Sequence, residues 1–160
     1  MNLKGLLVGM AALMVSLTMF VADTGTAFAH YVYSTGFPYY TAEDCVWGYS
    51  ETSHGNGNGY SKSEMQSKFI GGAGSYCANP FNRPAGYMRV RQIFQMQLAP
   101  GWGFCRDTGQ LYNTSSTWVF TVARTHGSKC GSYNYRTESQ VYMLNGSWKG
   151  GPIYSPAHWL

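Results

Sequence analysis

From His30 onward the chain alternates apolar and polar residues with a period of two, as strands with one buried face do. In Met88–Leu98 the even positions Met88, Val90, Phe94, Met96 and Leu98 are apolar, and Arg89, Arg91, Gln95 and Gln97 fall between them. Gln92 and Ile93 interrupt the order as a β-bulge would. Trp118–Arg124, rich in β-branched and aromatic residues, predicts a second strand. In Tyr133–Met143, Tyr133, Tyr135, Val141 and Met143 alternate with Asn134, Arg136, Glu138 and Gln140, which predicts a long third strand. Arg136 and Glu138 then share one face, as a structural ion pair would. Asn145-Gly146 suits a type I′ turn and predicts a hairpin to a strand at Ser147–Lys149. Cys45–Ser50 and Tyr31–Tyr40 supply shorter strands.

Turn residues cluster at Gly55–Gly59, Gly71–Gly74, Pro100–Gly103, Gly127–Gly131 and Gly150–Pro152. Strands and turns at this spacing predict an all-β domain, an antiparallel β-sandwich or small barrel. One segment reads two ways. Ser61 and Glu64 have capping-box spacing, with Met65 and Phe69 on one helical face, yet the same residues suit a polar strand. His54–Gly59, which alternates glycine with asparagine after its histidine, reads as a surface loop.

Residues 1–29 predict a signal peptide. Lys4 precedes an apolar run from Leu6 to Ala22, and Ala27-Phe28-Ala29 closes the segment with an A-x-A cleavage site. The run is barely membrane length, has no basic stop-transfer flank, and is followed by no lipidation cysteine. Residues 30–160 are therefore expected as one secreted domain, extracellular and without a stable membrane span. All four cysteines, Cys45, Cys77, Cys105 and Cys130, fall in it, and an even count in an exported chain predicts two disulfides. Pairing Cys45 with Cys77 and Cys105 with Cys130 closes two local excursions of a β-meander. A Cys₄ metal site lacks any C-x₂-C pair.

The net charge of +4 suits anionic surfaces but lacks the dense basic stripe of a nucleic-acid binder. Only Glu43, Asp44, Glu51, Glu64, Asp107 and Glu138 remain as carboxylates after residue 29. That is little material for a glycosidase pair, and no Gly-x-Ser-x-Gly elbow supports a serine hydrolase. A small hydrolase or nuclease would draw on Glu51 and His54, with Arg89, Arg91 or Arg136 on phosphate. The sequons at Asn113 and Asn145 read as chance.

The aromatic content is high: residues 30–160 hold 24 Tyr, Trp and Phe. Tyr and Trp are amphipathic, and some must remain at the surface. Trp102, Trp148, Tyr154 and Trp159 stand beside Gly or Pro, or at the tail, where exposure is expected. Exposed rings on a cross-linked sheet point to a non-enzymatic secreted binding protein. Its target would be a cell-wall or surface glycan, or a protein, as for an inhibitor or antimicrobial factor.

Cleavage after Ala29 would make His30 the first residue, offering its α-amine and imidazole as a chelate. This resembles the histidine brace of lytic polysaccharide monooxygenases and small periplasmic copper carriers. The resemblance implies copper as cofactor, held by His30 with a second imidazole from His126, His54 or His158. It covers that one residue and its partner, and no fold or activity follows from it.

Overall fold

The computed structural model describes residues 30–33, 37–40, 44–55, 58–71, 76–127 and 130–160, with strand pairing alone for those before Asp44. The expected signal segment lies outside these residues. The strands form two antiparallel sheets packed as a sandwich. The first holds β1 (His30–Tyr33), β2 (Phe37–Tyr40), β3 (Asp44–Gly55), β4 (Asn58–Ile70), β5 (Cys77–Pro80) and β8 (Val119–His126). The second holds β6 (Met88–Leu98), β7 (Gly101–Tyr112), β9 (Asn134–Asn145), β10 (Ser147–Tyr154) and β11 (His158–Trp159). Both expected disulfides form, Cys45–Cys77 and Cys105–Cys130, each with Cα atoms 5.8 Å apart.

The ambiguous segment around Ser61–Phe69 is strand, not helix. β4 pairs with β3 along one edge and with β8 and β5 along the other. Those ladders satisfy its backbone on both sides, against which one capping box on an isolated short helix counts for little. β7 was not foreseen, and Trp102 and Gly103 lie in it beyond a turn at Ala99-Pro100. The register does shift at Gln92 and Ile93, but the extra residue belongs to β7, where Gly109 takes a φ of +65°. β6 itself pairs with β9 without a register shift, with Gln92 buried on the inner face and Ile93 and Gln95 buried on the other.

The hairpin at Asn145-Gly146 is present, but Leu144 faces Trp148, one residue longer than a two-residue type I′ turn allows. Asn145 Nδ2 instead donates to Asp44 Oδ2 at 3.0 Å. Gly150 and Pro152 sit inside β10 rather than in a turn, because β10 is an edge strand where proline is tolerated. Arg136 and Glu138 share a face but are bridged by Gln95 in place of a direct ion pair: Arg136 Nε donates to Gln95 Oε1 at 2.8 Å, and Gln95 Nε2 donates to Glu138 Oε2 at 2.7 Å.

The interior is layered along the strands. At one end Val46, Met65, Met88, Val90, Val122, Val141, Met143 and Ile153 form an apolar cluster, and at the other Phe94, Cys105, Tyr135 and Leu160 form a second. Between them the sheets meet through hydroxyls. Thr52 Oγ1 lies 2.7 Å from Thr137 Oγ1 and 2.9 Å from Ser155 Oγ, and Ser139 Oγ lies 2.8 Å from Ser50 Oγ and 2.6 Å from Ser63 Oγ. All of these groups are buried, and each finds a partner, as burial of a hydroxyl requires.

Candidate functional site

Successive side chains of a strand alternate between faces, and directly paired residues share one. The register of the second sheet therefore decides what its outer face presents. Tyr112, Arg89 and Tyr142 form one row, Gln110, Arg91, Gln140 and Pro152 the next, and Asp107, Ile93, Glu138 and Tyr154 a third. Phe104, Gln95 and Arg136 follow, then Trp102 paired with Gln97, while Trp159 pairs with Asn134 from β11. The four expected aromatic residues, Trp102, Trp148, Tyr154 and Trp159, thus come from three strands to one surface. None of the first three is in a turn, and Trp102 and Trp148 are half-buried where exposure was expected, because arginines stack on their rings.

Two arginines are held between rings. The Arg89 guanidinium lies 4.4 Å from the Tyr142 centroid and 4.5 Å from that of Trp148, with Tyr112 a further 5.9 Å from Trp148. Arg136 lies 4.2 Å from the Trp102 centroid and 4.4 Å from that of Tyr154. Stacking covers the planar faces of each guanidinium and leaves its N–H edges to donate. Burial pulls Arg136 below the usual arginine range.

Planar amides and carboxylates fill the space between the stacks. Glu138 also accepts from Gln140 Nε2 at 2.7 Å, and Asn134 Nδ2 donates to Gln97 Oε1 at 2.9 Å. Arg91 forks onto Asp107 with its shortest contact at 2.6 Å, which lowers the carboxyl and raises the guanidinium. At about 3.3 Å per residue, the Arg89 row and the Gln95 row stand roughly 20 Å apart. Outermost are Phe104, 68% exposed, and Trp159, 61% exposed. Sequence alternation already assigned Arg89 and Arg136 to a solvent face. Their stacking on Tyr142, Trp148, Trp102 and Tyr154 required the cross-strand register.

The other sequence candidates scatter. Glu51 and His54 are three residues apart on β3 and project from opposite faces, so they make no acid–base pair, and the arginines are on the other sheet. Asn113 is buried, donating to Pro84 O and Ser115 O and accepting from the Met88 amide, which makes it a structural side chain.

Strand pairing places His30 opposite His54, His54 opposite Gly59, and Gly59 opposite His126. His30 and His126 are therefore three strands apart, roughly 14 Å at about 4.8 Å per strand, and do not meet. His54 instead stacks on His158 at 5.2 Å. His126 hydrogen-bonds Ser61 Oγ through Nε2 at 2.8 Å and stacks on Phe94 at 4.4 Å. Burial, then the charges of Arg106 and Arg124, push it down to about 4.

No protein family, curated protein or solved structure matches this chain.

Proposed function

We propose that the protein is a secreted, non-enzymatic binding protein whose outer aromatic face holds an extracellular glycan. The observation that carries this reading is the convergence of Trp102, Trp148, Tyr154 and Trp159 on one sheet face, each within a field of arginine, amide and carboxylate groups. Sugars offer apolar ring faces to stack on aromatics and equatorial hydroxyls to bond with planar polar groups, and this surface offers both at once. A protein-binding surface centres on residues depleted of charge. Here the rings are interleaved with Arg89, Arg91 and Arg136, with Glu138 buried beneath them. Two disulfides are compatible with an extracellular location and fix the scaffold, so little ordering is required on binding.

Co-sedimentation with insoluble peptidoglycan, chitin and cellulose tests the reading. The wild-type protein is expected to pellet with at least one polymer, and Trp148→Ala to shift it toward the supernatant. A protein that stays soluble with all three, or that clears a polymer-containing zymogram, contradicts it.

A second reading, copper binding through His30, is supported by the pairing of His30 with His54 and the stacking of His54 on His158. Electron paramagnetic resonance of the Cu(II)-loaded mature protein, with its N-terminus sequenced, tests this. A type-2 nitrogen signal lost in His54→Ala supports it. A start other than His30, or the absence of that signal, ends it.

A further inference from the structure

On the open side of the sandwich, β7 and β8 are the facing edge strands of opposite sheets, and a cavity of about 550 Å³ lies between them. That volume is in the range of small-ligand pockets, roughly 300–1,000 Å³. Core-facing positions normally carry apolar residues, yet here both edges carry arginine. Arg106 pairs with the inward Phe94, and Arg124 pairs with the inward Ser61. Thr108 and His126 complete the walls, with the buried Phe94 ring stacked on His126 and Tyr135 beneath them. Asp107 also borders the cavity, but its charge is answered by Arg91 on the outer face. The cavity is therefore cationic.

Its deepest polar group is Gln92, 1% exposed. Gln92 Nε2 donates to Val122 O at 2.9 Å and so ties the two sheets together. Its Oε1 accepts no hydrogen bond among the described residues. A buried carbonyl left without a donor is costly and uncommon in folded proteins. A ligand hydroxyl entering the cavity would supply the donor.

We infer that this cavity binds a carboxylated sugar, its carboxylate between Arg106 and Arg124 and a hydroxyl directed to Gln92 Oε1. The chemistry needed is an anion at the mouth and a hydroxyl at depth. The Cys105–Cys130 disulfide lies beside Arg106, whose Nη1 donates to Cys105 O at 2.8 Å, so one wall is covalently fixed. Inward-pointing charges on edge strands also discourage edge-to-edge aggregation. The test must separate the two roles.

Isothermal titration calorimetry with glucuronate, and with glucose and inorganic sulfate as controls, does so. Glucuronate is expected to bind, with both controls at least about tenfold weaker, because a charged hydrogen bond and a paired acceptor each contribute on that scale. Arg124→Gln, at an exposed position that leaves the core intact, is expected to weaken glucuronate about tenfold. Trp148→Ala is expected to leave it unchanged, which keeps this site distinct from the outer face. Absence of glucuronate binding, sulfate binding as tightly as glucuronate, or wild-type affinity in both Arg106→Gln and Arg124→Gln would overturn the inference. The last outcome would mean that the arginines only guard the edges.

Discussion

Removal of one oxygen from the hydroxyl layer, in Ser139→Ala, tests whether that layer holds the sheets together. Ser139 Oγ bonds Ser50 Oγ at 2.8 Å and Ser63 Oγ at 2.6 Å, and all three residues are fully buried. Ser50 Oγ also donates to Thr137 O at 2.7 Å and keeps a partner when Ser139 is shortened. Ser63 loses the bond to Ser139. Two lost bonds at about 1 kcal/mol each, plus the desolvation of a stranded hydroxyl at roughly 1–3 kcal/mol, give a destabilisation of about 3–5 kcal/mol. Urea unfolding with the disulfides intact should show the midpoint falling by roughly 1.5–2.5 M at an unchanged slope of about 2 kcal/mol/M. The double variant Ser63→Ala/Ser139→Ala should cost less than the sum of the single variants, because the stranded group is gone. A loss below about 0.5 kcal/mol, or strict additivity, would refute the reasoning.

Three further outcomes are expected. The double variant Cys105→Ala/Cys130→Ala, which opens a link with a sequence separation of 25, should lower stability by about 3.5 kcal/mol in the same urea assay. His126 is depressed from about 6.5 in the unfolded chain to about 4 in the fold, so below pH 6.5 the unfolded chain takes up a proton that the folded chain does not. Its contribution is complete above pH 6.5 and is lost by up to about 1.4 kcal/mol per pH unit on acidification toward pH 4, a slope that His126→Gln should flatten in urea melts across that interval. Asn113→Ala, which removes three hydrogen bonds at a buried site, should cost roughly 2–4 kcal/mol by thermal or urea unfolding; a loss below about 1 kcal/mol would show that those bonds are not structural.

Strands with apolar inner faces were legible in the sequence. β6 begins and ends at Met88 and Leu98 as its alternation requires, and β9 differs from its expected bounds by only one or two residues. The inner faces of β3 and β4 were not, because Ser50, Thr52, Ser61, Ser63 and Ser67 alternate with other polar residues and leave no hydrophobic period to read. Their partners come from elsewhere in the fold, Thr137 and Ser139 of β9 for Ser50, Thr52 and Ser63, His126 for Ser61 and Arg83 for Ser67, a pairing set by tertiary structure. β7 was obscured by its glycines and two register shifts, which break the two-residue period. Among candidate residues, Tyr154 and Trp159 were identifiable as exposed rings, whereas Trp102 and Trp148 are half-buried under stacked arginines, and the face that all four share depended on pairings among strands up to 57 positions apart in the chain. Arg106 and Arg124 gave no signal, since nothing local marks an arginine as lining a cavity between two sheets.

The central claim, that the outer face of the second sheet binds glycan, is tested most directly by mapping amide chemical-shift changes while soluble chitin and cellulose hexasaccharides and peptidoglycan fragments are added. Binding through that face predicts shifts concentrated in Arg89–Gln97, Asn134–Tyr142 and Ser147–Tyr154, together with Trp102 and Trp159. Shifts confined to the first sheet, or none with any of the three, would contradict the account.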